Sequence, residues 1–424
     1  MKHDKALSAF VRQFLLVLPL LLLSTGAGAT TFKVYYQFQG GNDGVSPSNV
    51  VVDSAGNLYG VTSGGGTHNA GTIFKLTQSG GIWTNTVLYN FCSRANCPDG
   101  WAPDSTLTID KKGNLYGITL WGGDQSCQYG CGVAFRLSPA KGVWKFKVLH
   151  RFSHTDGYYP QAPLTLDSAG NLFGTTSDAD GYVGHFGTVF KLTGAHGKWT
   201  KTVLHSFTDN DDGANPFSGV IFDPAGNLYG TTANGGVYHD GVVYQLSPSG
   251  TGWTEKTLHS FSNDRIDGQN PYSGVTLDAA GNLYGATFVG GDFSGRYCGG
   301  GCGIVYQLTP SGGTWTENIL YKFTGGADGS YPGAELVLDS SGNLYGTATS
   351  GGRPACDDGY GCGVVFKLIP ANGAWTEAVL HRFTGKNDGW APGRSLFFDQ
   401  KGRLYGYDAY GVPYNAGNLF VLKP

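Results

Sequence analysis

Seven near-copies of one phrase constrain what this chain of 424 residues can fold into. GNLYGVT begins at 56, GNLYGIT at 113, GNLFGTT at 170, GNLYGTT at 226, GNLYGAT at 281, GNLYGTA at 342 and the worn copy GRLYGYD at 402, a spacing of 55 to 61 residues. Residues 212–261 show the whole unit: DGANP, SGVIFD, PA, GNLYGTT, a Gly-rich stretch, GVVYQL, a polar turn and WTEKTLHSF. Its four short runs are rich in β-branched and aromatic residues and bounded by Gly, Pro, Asp or Ser, so they read as four antiparallel strands. No segment after residue 29 keeps a helical period. A repeat of this length built from four strands is a propeller blade. The fold expected is all-β: a seven-bladed β-propeller of four-stranded blades.

The chain ends distinguish a closed ring from an open stack. The last unit stops after its third run, GNLFVL at 417–422, while TTFKVYYQF at 30–38 aligns with an internal fourth run, WKFKVLHRF at 144–152. The N-terminal strand is therefore expected to complete the C-terminal blade, which latches the ring and removes an orphan sheet edge. An open solenoid would need polar end caps, and none is written. Residues 30–424 read as one propeller domain.

Residues 1–29 read as targeting. Lys2, Lys5 and Arg12 precede the apolar run FLLVLPLLLL (14–23), and Ala27-Gly28-Ala29 follows, the pattern of a secretory signal peptide cut after Ala29. That run is short for a membrane span and no second one follows, so a secreted or periplasmic monomer without membrane attachment is expected. The eight cysteines fall in four close pairs: Cys92 and Cys97, Cys127 and Cys131, Cys298 and Cys302, Cys356 and Cys362. Neighbouring disulfides suit an oxidising compartment. Zinc at CQYGC and CGGGC is the alternative, though these spacings are wider than the usual CxxC. A formal charge of −3 gives neither a nucleic-acid surface nor a polybasic membrane patch.

The G-N-L-Y-G-T-T phrase, the G-V-V-F-K-L type of strand after it and the number of copies resemble the Gloeo/Verruco (GloVer) repeat family of exported bacterial proteins. The resemblance covers residues 30–424 and implies an extracytoplasmic repeat protein, often with a C-terminal sorting anchor. The FVLKP end here has no hydrophobic tail. The resemblance carries no catalytic residues to place on this chain.

Much of the repetition is architectural. Asp-x-x-Gly-Asn, as in Asp223 to Asn227, is a tight turn in which Asp accepts backbone N–H bonds and Gly takes positive φ. Asp-Gly-x-x-Pro contributes Asp43, Asp99, Asp156, Asp212, Asp267, Asp328 and Asp388. These read as turn caps between blades, the functional alternative being a carboxylate ring holding calcium. The acidic run TDNDDG (208–213) lacks calcium-loop spacing. His150, His205, His259 and His381 share one fourth-strand position with Tyr36, Tyr89 and Tyr321, which marks polar-tipped packing rather than a proton shuttle or metal ligand. The Trp residues opening that strand (83, 144, 199, 253, 315 and 375) read as structural, not as cofactor docking. No cofactor and no metal are expected.

Symmetry supplies a filter, because a site at one place needs residues that differ from their counterparts. With the first strand innermost, the loops entering it and those joining second to third strands share one face. Those loops hold the length variation and all four cysteine pairs. Aromatics outside the repeat gather there too, among them Trp101, Trp121, Tyr129, Tyr159, Tyr182, Phe217, Tyr272, Tyr297, Tyr331 and Trp390. Exposed rings with few charges suit sugars or a protein partner; the alternative is that they pack on one another. Glu335 and Arg394, on adjacent blades, and Asp408, where other copies carry Thr or Ala, break symmetry near the channel mouth. Glu335 and Arg394 could pair locally. The binding candidates are therefore Trp101, Trp121, Tyr159, Trp390, Glu335, Arg394 and Asp408. The sequence has no GxSxG elbow, HExxH helix or GxxxxGK loop, and no catalytic residue is assigned. The expectation is a binding module for a glycan or extracellular protein. A carbohydrate-active lyase or hydrolase at the channel mouth, or a structural envelope component, are the alternatives.

Overall fold

Short β-rich runs separated by Gly, Pro and Asp do become four strands per repeat. In the fourth repeat they are Ile221–Phe222, Leu228–Thr232, Val242–Ser249 and Gly252–Ser260, antiparallel throughout. A computed structural model describes residues 30–424 except 179–183, 185, 263, 296–297, 354–355, 357–358 and 412–413. The expected signal peptide, Tyr182 and Tyr297 thus lie outside the described residues. Seven such sheets form the ring of a seven-bladed β-propeller, with a short helical turn at Gly41–Asp43. Second strands such as Leu228–Thr232 are buried along their whole length, because neighbouring blades cover both faces.

The latch is formed. Thr31–Gln37 pairs antiparallel with Asn418–Lys423, from Thr31 opposite Lys423 to Gln37 opposite Asn418. Phe38 then buries completely against Phe74 of blade 1, and its N–H donates to the Gly417 carbonyl at 3.1 Å. The termini share one sheet, as their sequences require.

The repeated phrase is a self-satisfying turn. Asp223 Oδ1 accepts from the Ala225 and Asn227 amides, both at 2.9 Å. Its Oδ2 accepts from Asn227 Nδ2 at 2.7 Å and from the Tyr229 hydroxyl at 3.1 Å. Burial alone would raise this carboxyl, but these donors hold it below the usual range. The Tyr229 hydroxyl thereby ties the second strand to the turn. In the worn copy Arg403 replaces asparagine and supplies Nε to Asp399 Oδ2 at 2.7 Å, so the substitution preserves the bond.

The fourth strand carries one bulge in every blade. Leu258 lies between paired His259–Val243 and Thr257–Tyr244, and register shifts at the corresponding place in the other six blades. An extra residue re-aims the side chain that follows it. Here it turns each His or Tyr onto the aspartate of the next Asp-Gly turn. Tyr36–Asp43, Tyr89–Asp99 and Tyr321–Asp328 bond at 2.7, 2.6 and 3.2 Å. His150–Asp156, His205–Asp212, His259–Asp267 and His381–Asp388 bond at 2.7, 3.1, 3.2 and 3.0 Å. Two motifs that the sequence separates are thus one device joining each blade to the next.

Candidate functional site

Each entering loop meets the second-to-third-strand loop of its own blade backbone to backbone. A Cβ on Gly235 (φ +70°) would come within 2.6 Å of Gly213, which accounts for the paired Asp-Gly and Gly-Gly motifs. The residue before each first-strand proline takes φ between 52 and 58°, at Ser46, Ala102, Tyr159, Asn215, Asn270, Tyr331 and Ala391. Left-handed geometry is costly for L-residues other than Asn and Gly, so this rim is held in place by its surroundings. All four disulfides form, with Cα–Cα distances of 4.1 to 5.1 Å. Zinc ligation by these thiols is thereby set aside.

The tryptophans of the elaborated face mostly pack on one another. Trp101 stacks on Trp121 at 5.9 Å and donates Nε1–H to the Tyr129 carbonyl at 3.3 Å. Trp121 meets Tyr159 edge-on at 4.8 Å, and Tyr159 is buried. Trp390 stacks on Tyr410 at 4.6 Å at the rim of blade 7. Asp408 is a correction: it has no exposed surface and lies inside blade 7, not at the mouth. Burial pushes its carboxyl well above the usual range, and Asn418 Nδ2 donates to it at 3.2 Å. Asp408 and Asn418 stand where Thr62 and Thr72, or Thr176 and Thr188, share a hydrogen bond of 2.8 Å. The pair is a buried variant of a core contact.

Glu335 and Arg394 also depart from expectation. Their contact is backbone only, Glu335 N–H to the Arg394 carbonyl at 3.1 Å, and no ion pair joins them among the described residues. The Arg394 side chain is exposed and lies over the Tyr272 ring, 5.6 Å from its centroid. Tyr407 explains the displacement. It replaces the small second-strand residue that fills this place elsewhere, such as Thr231, whose hydroxyl donates to Ser273 of the next blade at 2.8 Å. Its ring sits against Gly393, and its hydroxyl accepts the Arg394 N–H at 3.2 Å. Tyr407 thus takes the space beside Gly393, and the Arg394 side chain runs past Gly333 instead.

Asp104 completes the mouth. It occupies the position after the first-strand proline in blade 2, exposed at the channel mouth; desolvation by the surrounding walls raises its carboxyl, and the Arg394 charge pulls it back. An arc of half-buried rings runs beside it over blades 4 to 6. Phe217–Tyr272 and Tyr272–Phe288 approach at 5.5 and 5.4 Å, and Phe288 stacks on Tyr331 at 5.0 Å. Sequence reasoning had the aromatics but missed Asp104, Phe288 and Tyr407. Comparing each inner-strand position across all seven copies would have isolated Asp104 and Tyr407.

Glu335 lies two strand positions beyond the place of Asp104 and one beyond that of Arg394, on the channel wall beside Gly274. Its carboxylate has no hydrogen-bond or ionic partner among the described residues, and burial pushes it up to about 7. It stands at the inner end of a cavity of about 1020 Å³ between blades 7 and 1, lined by Val51, Trp83, Phe397 and Tyr405. That cavity opens among the short turns at 53–57 and 399–403, on the face expected to be plain. The source is legible in retrospect. Pro47 to Asp53 is six residues, where Pro103 to Asp110 and every other copy is seven. With blade 1 one residue short, Thr106 of blade 2 and Ser395 of blade 7 bond directly at 3.3 Å.

A third departure from symmetry lies between blades. The fourth-strand position that faces the preceding blade's His or Tyr is Phe32, Asn85, Phe146 and Lys201 in four interfaces, but Glu255, Glu317 and Glu377 in the other three. Phe32 stacks on His381 at 3.6 Å and Phe146 on Tyr89 at 4.0 Å. The glutamates instead add a second carboxylate beside Asp212, Asp267 and Asp328, and all three are raised, first by burial.

The family model described as the Gloeobacter/Verrucomicrobia repeat matches residues 23–225 and 218–424. No curated protein shows a significant match to the sequence. Among solved structures, an ancestral GH74 enzyme superposes with a TM-score of 0.54 at 12% identity, over 90% of this chain and 48% of that one. The PQQ-bound aldose sugar dehydrogenase of Streptomyces coelicolor gives 0.46 at 10% identity, over 93% and 98%. At 12% identity the likeness to the GH74 enzyme is one of fold. Four disulfides point to an extracellular or periplasmic setting. No helix among the described residues is long and apolar enough to cross a membrane.

Proposed function

The chain belongs to the Gloeobacter/Verrucomicrobia repeat family, and on that premise we propose that it is an exported propeller that binds a saccharide at the mouth of its central channel. One observation carries the reading: of the charges that break sevenfold symmetry, Arg394 and Asp104 sense each other at the channel mouth, while Glu335 stands on the channel wall below them without a partner among the described residues. The Phe217–Tyr272–Phe288–Tyr331 arc offers ring faces to the C–H side of a sugar. Arg394 and Asp104 supply a donor and an acceptor for hydroxyls at its edge, and Glu335 supplies an acceptor or acid below. The adjoining cavity is of the size that takes a small ligand. In this reading Trp101, Trp121 and Trp390 shape the rim, and the mouth makes the contacts.

A glycan array with the purified chain tests this. Binding is expected, and Tyr272→Ala and Arg394→Ala are each expected to weaken it by roughly tenfold, the worth of one good ring or charged contact. Absence of any glycan bound, or binding indifferent to both variants, overturns the proposal. The unpartnered Glu335 also favours a second reading, acid–base cleavage of a bound polysaccharide. Product release abolished by Glu335→Gln, with binding retained, would select it.

A further inference from the structure

The interface between blades 4 and 5 is separate from the channel and unlike the other six. His259 ends the fourth strand of blade 4, Asp267 lies in the loop entering blade 5, and Glu317 projects from the fourth strand of blade 5. One ligand atom from each lies within 4.8 Å of the other two. His259 Nε2 is 3.2 Å from Asp267 Oδ2 and 3.9 Å from Glu317 Oε2. Around a tetrahedral ion with bonds of about 2.0–2.2 Å, ligand atoms stand roughly 3.3–3.6 Å apart. The two edges from His259 bracket that spacing, and the carboxylate–carboxylate edge is within 4.8 Å, wide enough for an ion to draw the three ligands in.

The neighbouring interfaces show what is special here. Glu255 also faces a histidine, His205, but the Thr257 hydroxyl donates to its Oε1 at 3.2 Å. The residue in place of Thr257 is Ile319, so Glu317 has no such donor, and its buried Oε1 has no hydrogen-bond partner. Glu377 faces Tyr321, which offers no nitrogen. Only the blade 4–5 interface, among the described residues, combines an imidazole, two carboxylates and an orphaned buried oxygen. Asp267 is held for the task by outer bonds, accepting the Ser262 and Gly268 amides at 3.0 and 2.6 Å.

We propose that His259, Asp267 and Glu317 form a binding site for a divalent transition cation of the zinc class. A nitrogen among three ligands disfavours calcium and magnesium, which take oxygen. The side chains are 10 to 20% exposed, which leaves an open fourth position for water and a path for the ion. Because the three residues come from two blades, the ion would tie blade 4 to blade 5 at the perimeter, where His259 and Asp267 already bond.

The test is titration of the untagged, oxidised chain with zinc chloride, followed by calorimetry and thermal melting. With every described cysteine in a disulfide, no thiolate competes. One equivalent is expected to bind and to raise the melting temperature. His259→Tyr takes the residue that three other blades use here, and Glu317→Gln keeps shape, so both are expected to fold. Each is expected to lower zinc affinity by at least roughly tenfold and to abolish the thermal shift. Glu377→Gln is expected to leave both unchanged. Absence of stoichiometric binding, a response to calcium but not to zinc, or affinity retained in either His259→Tyr or Glu317→Gln overturns the proposal.

Discussion

Removing the Phe38 side chain tests the closure on which the ring depends. Phe38 is fully buried, meets Phe74 of blade 1 at 5.2 Å and donates its N–H to Gly417, near the other end of the chain, at 3.1 Å. Phe261 does the same inside the chain, fully buried, 5.1 Å from Tyr306 and bonded to Gly241 at 3.0 Å. Truncating a buried phenylalanine to alanine costs about 3–5 kcal/mol. A chain of about 400 residues melts with an entropy of roughly 0.8 kcal/mol per kelvin, so each loss is worth about 4–6 °C. Differential scanning calorimetry of Phe38→Ala and Phe261→Ala is therefore expected to give matching drops. If Phe38→Ala melts within about 1 °C of the parent while Phe261→Ala falls fully, the N-terminal segment is no part of the cooperative ring and the latch argument fails.

Three further outcomes follow from the geometry. Asp408 and Asn418 are wholly buried, with one oxygen each lacking a partner; replacing both by threonine restores the pairing of other blades and is expected to raise stability by about 1–3 kcal/mol in urea unfolding. Arg403→Asn, which restores the common phrase, is expected to be close to neutral, whereas Arg403→Ala removes both donors to Asp399 and costs about 1 kcal/mol. Glu255 and Glu377 are pushed up to about 7 from an ordinary 4.5, first by burial, so each binds its proton more tightly folded than unfolded. Their contribution to stability is complete below pH 4.5 and fades as pH rises toward 7. Melting temperature is expected to decline across that window in the parent and to decline less in Glu255→Gln/Glu377→Gln, an equal decline in both refuting the assignment. The turn aspartates act oppositely, since hydrogen bonds hold Asp53 and Asp223 below 3.8 against burial, and their stabilisation is lost only in stronger acid.

The repeat period, four strands per unit and the mismatched chain ends were enough to specify blade, number and closure, because each blade is built from local antiparallel pairings between strands adjacent in sequence. Cysteine spacing was enough for the disulfides for the same reason: each pair lies within six residues. The roles of single side chains were less legible. Asp408 stood out as a charge among threonines, yet which way a strand residue points depends on the packing around it, and here it points inward. Arg394 and Glu335 are neighbours by alignment, but Tyr407 takes the space beside Gly393 and Arg394 runs past Gly333, so the two charges part. A single missing residue between Pro47 and Asp53 went unnoticed as spacing and opened a cavity once the ring was closed. The His/Tyr and Asp positions were each recognised, but their bond passes through a bulge that propensity does not mark. Short-range order was in the letters; what faces the lumen, what lies buried and what meets across two blades was set by packing between residues far apart in the chain.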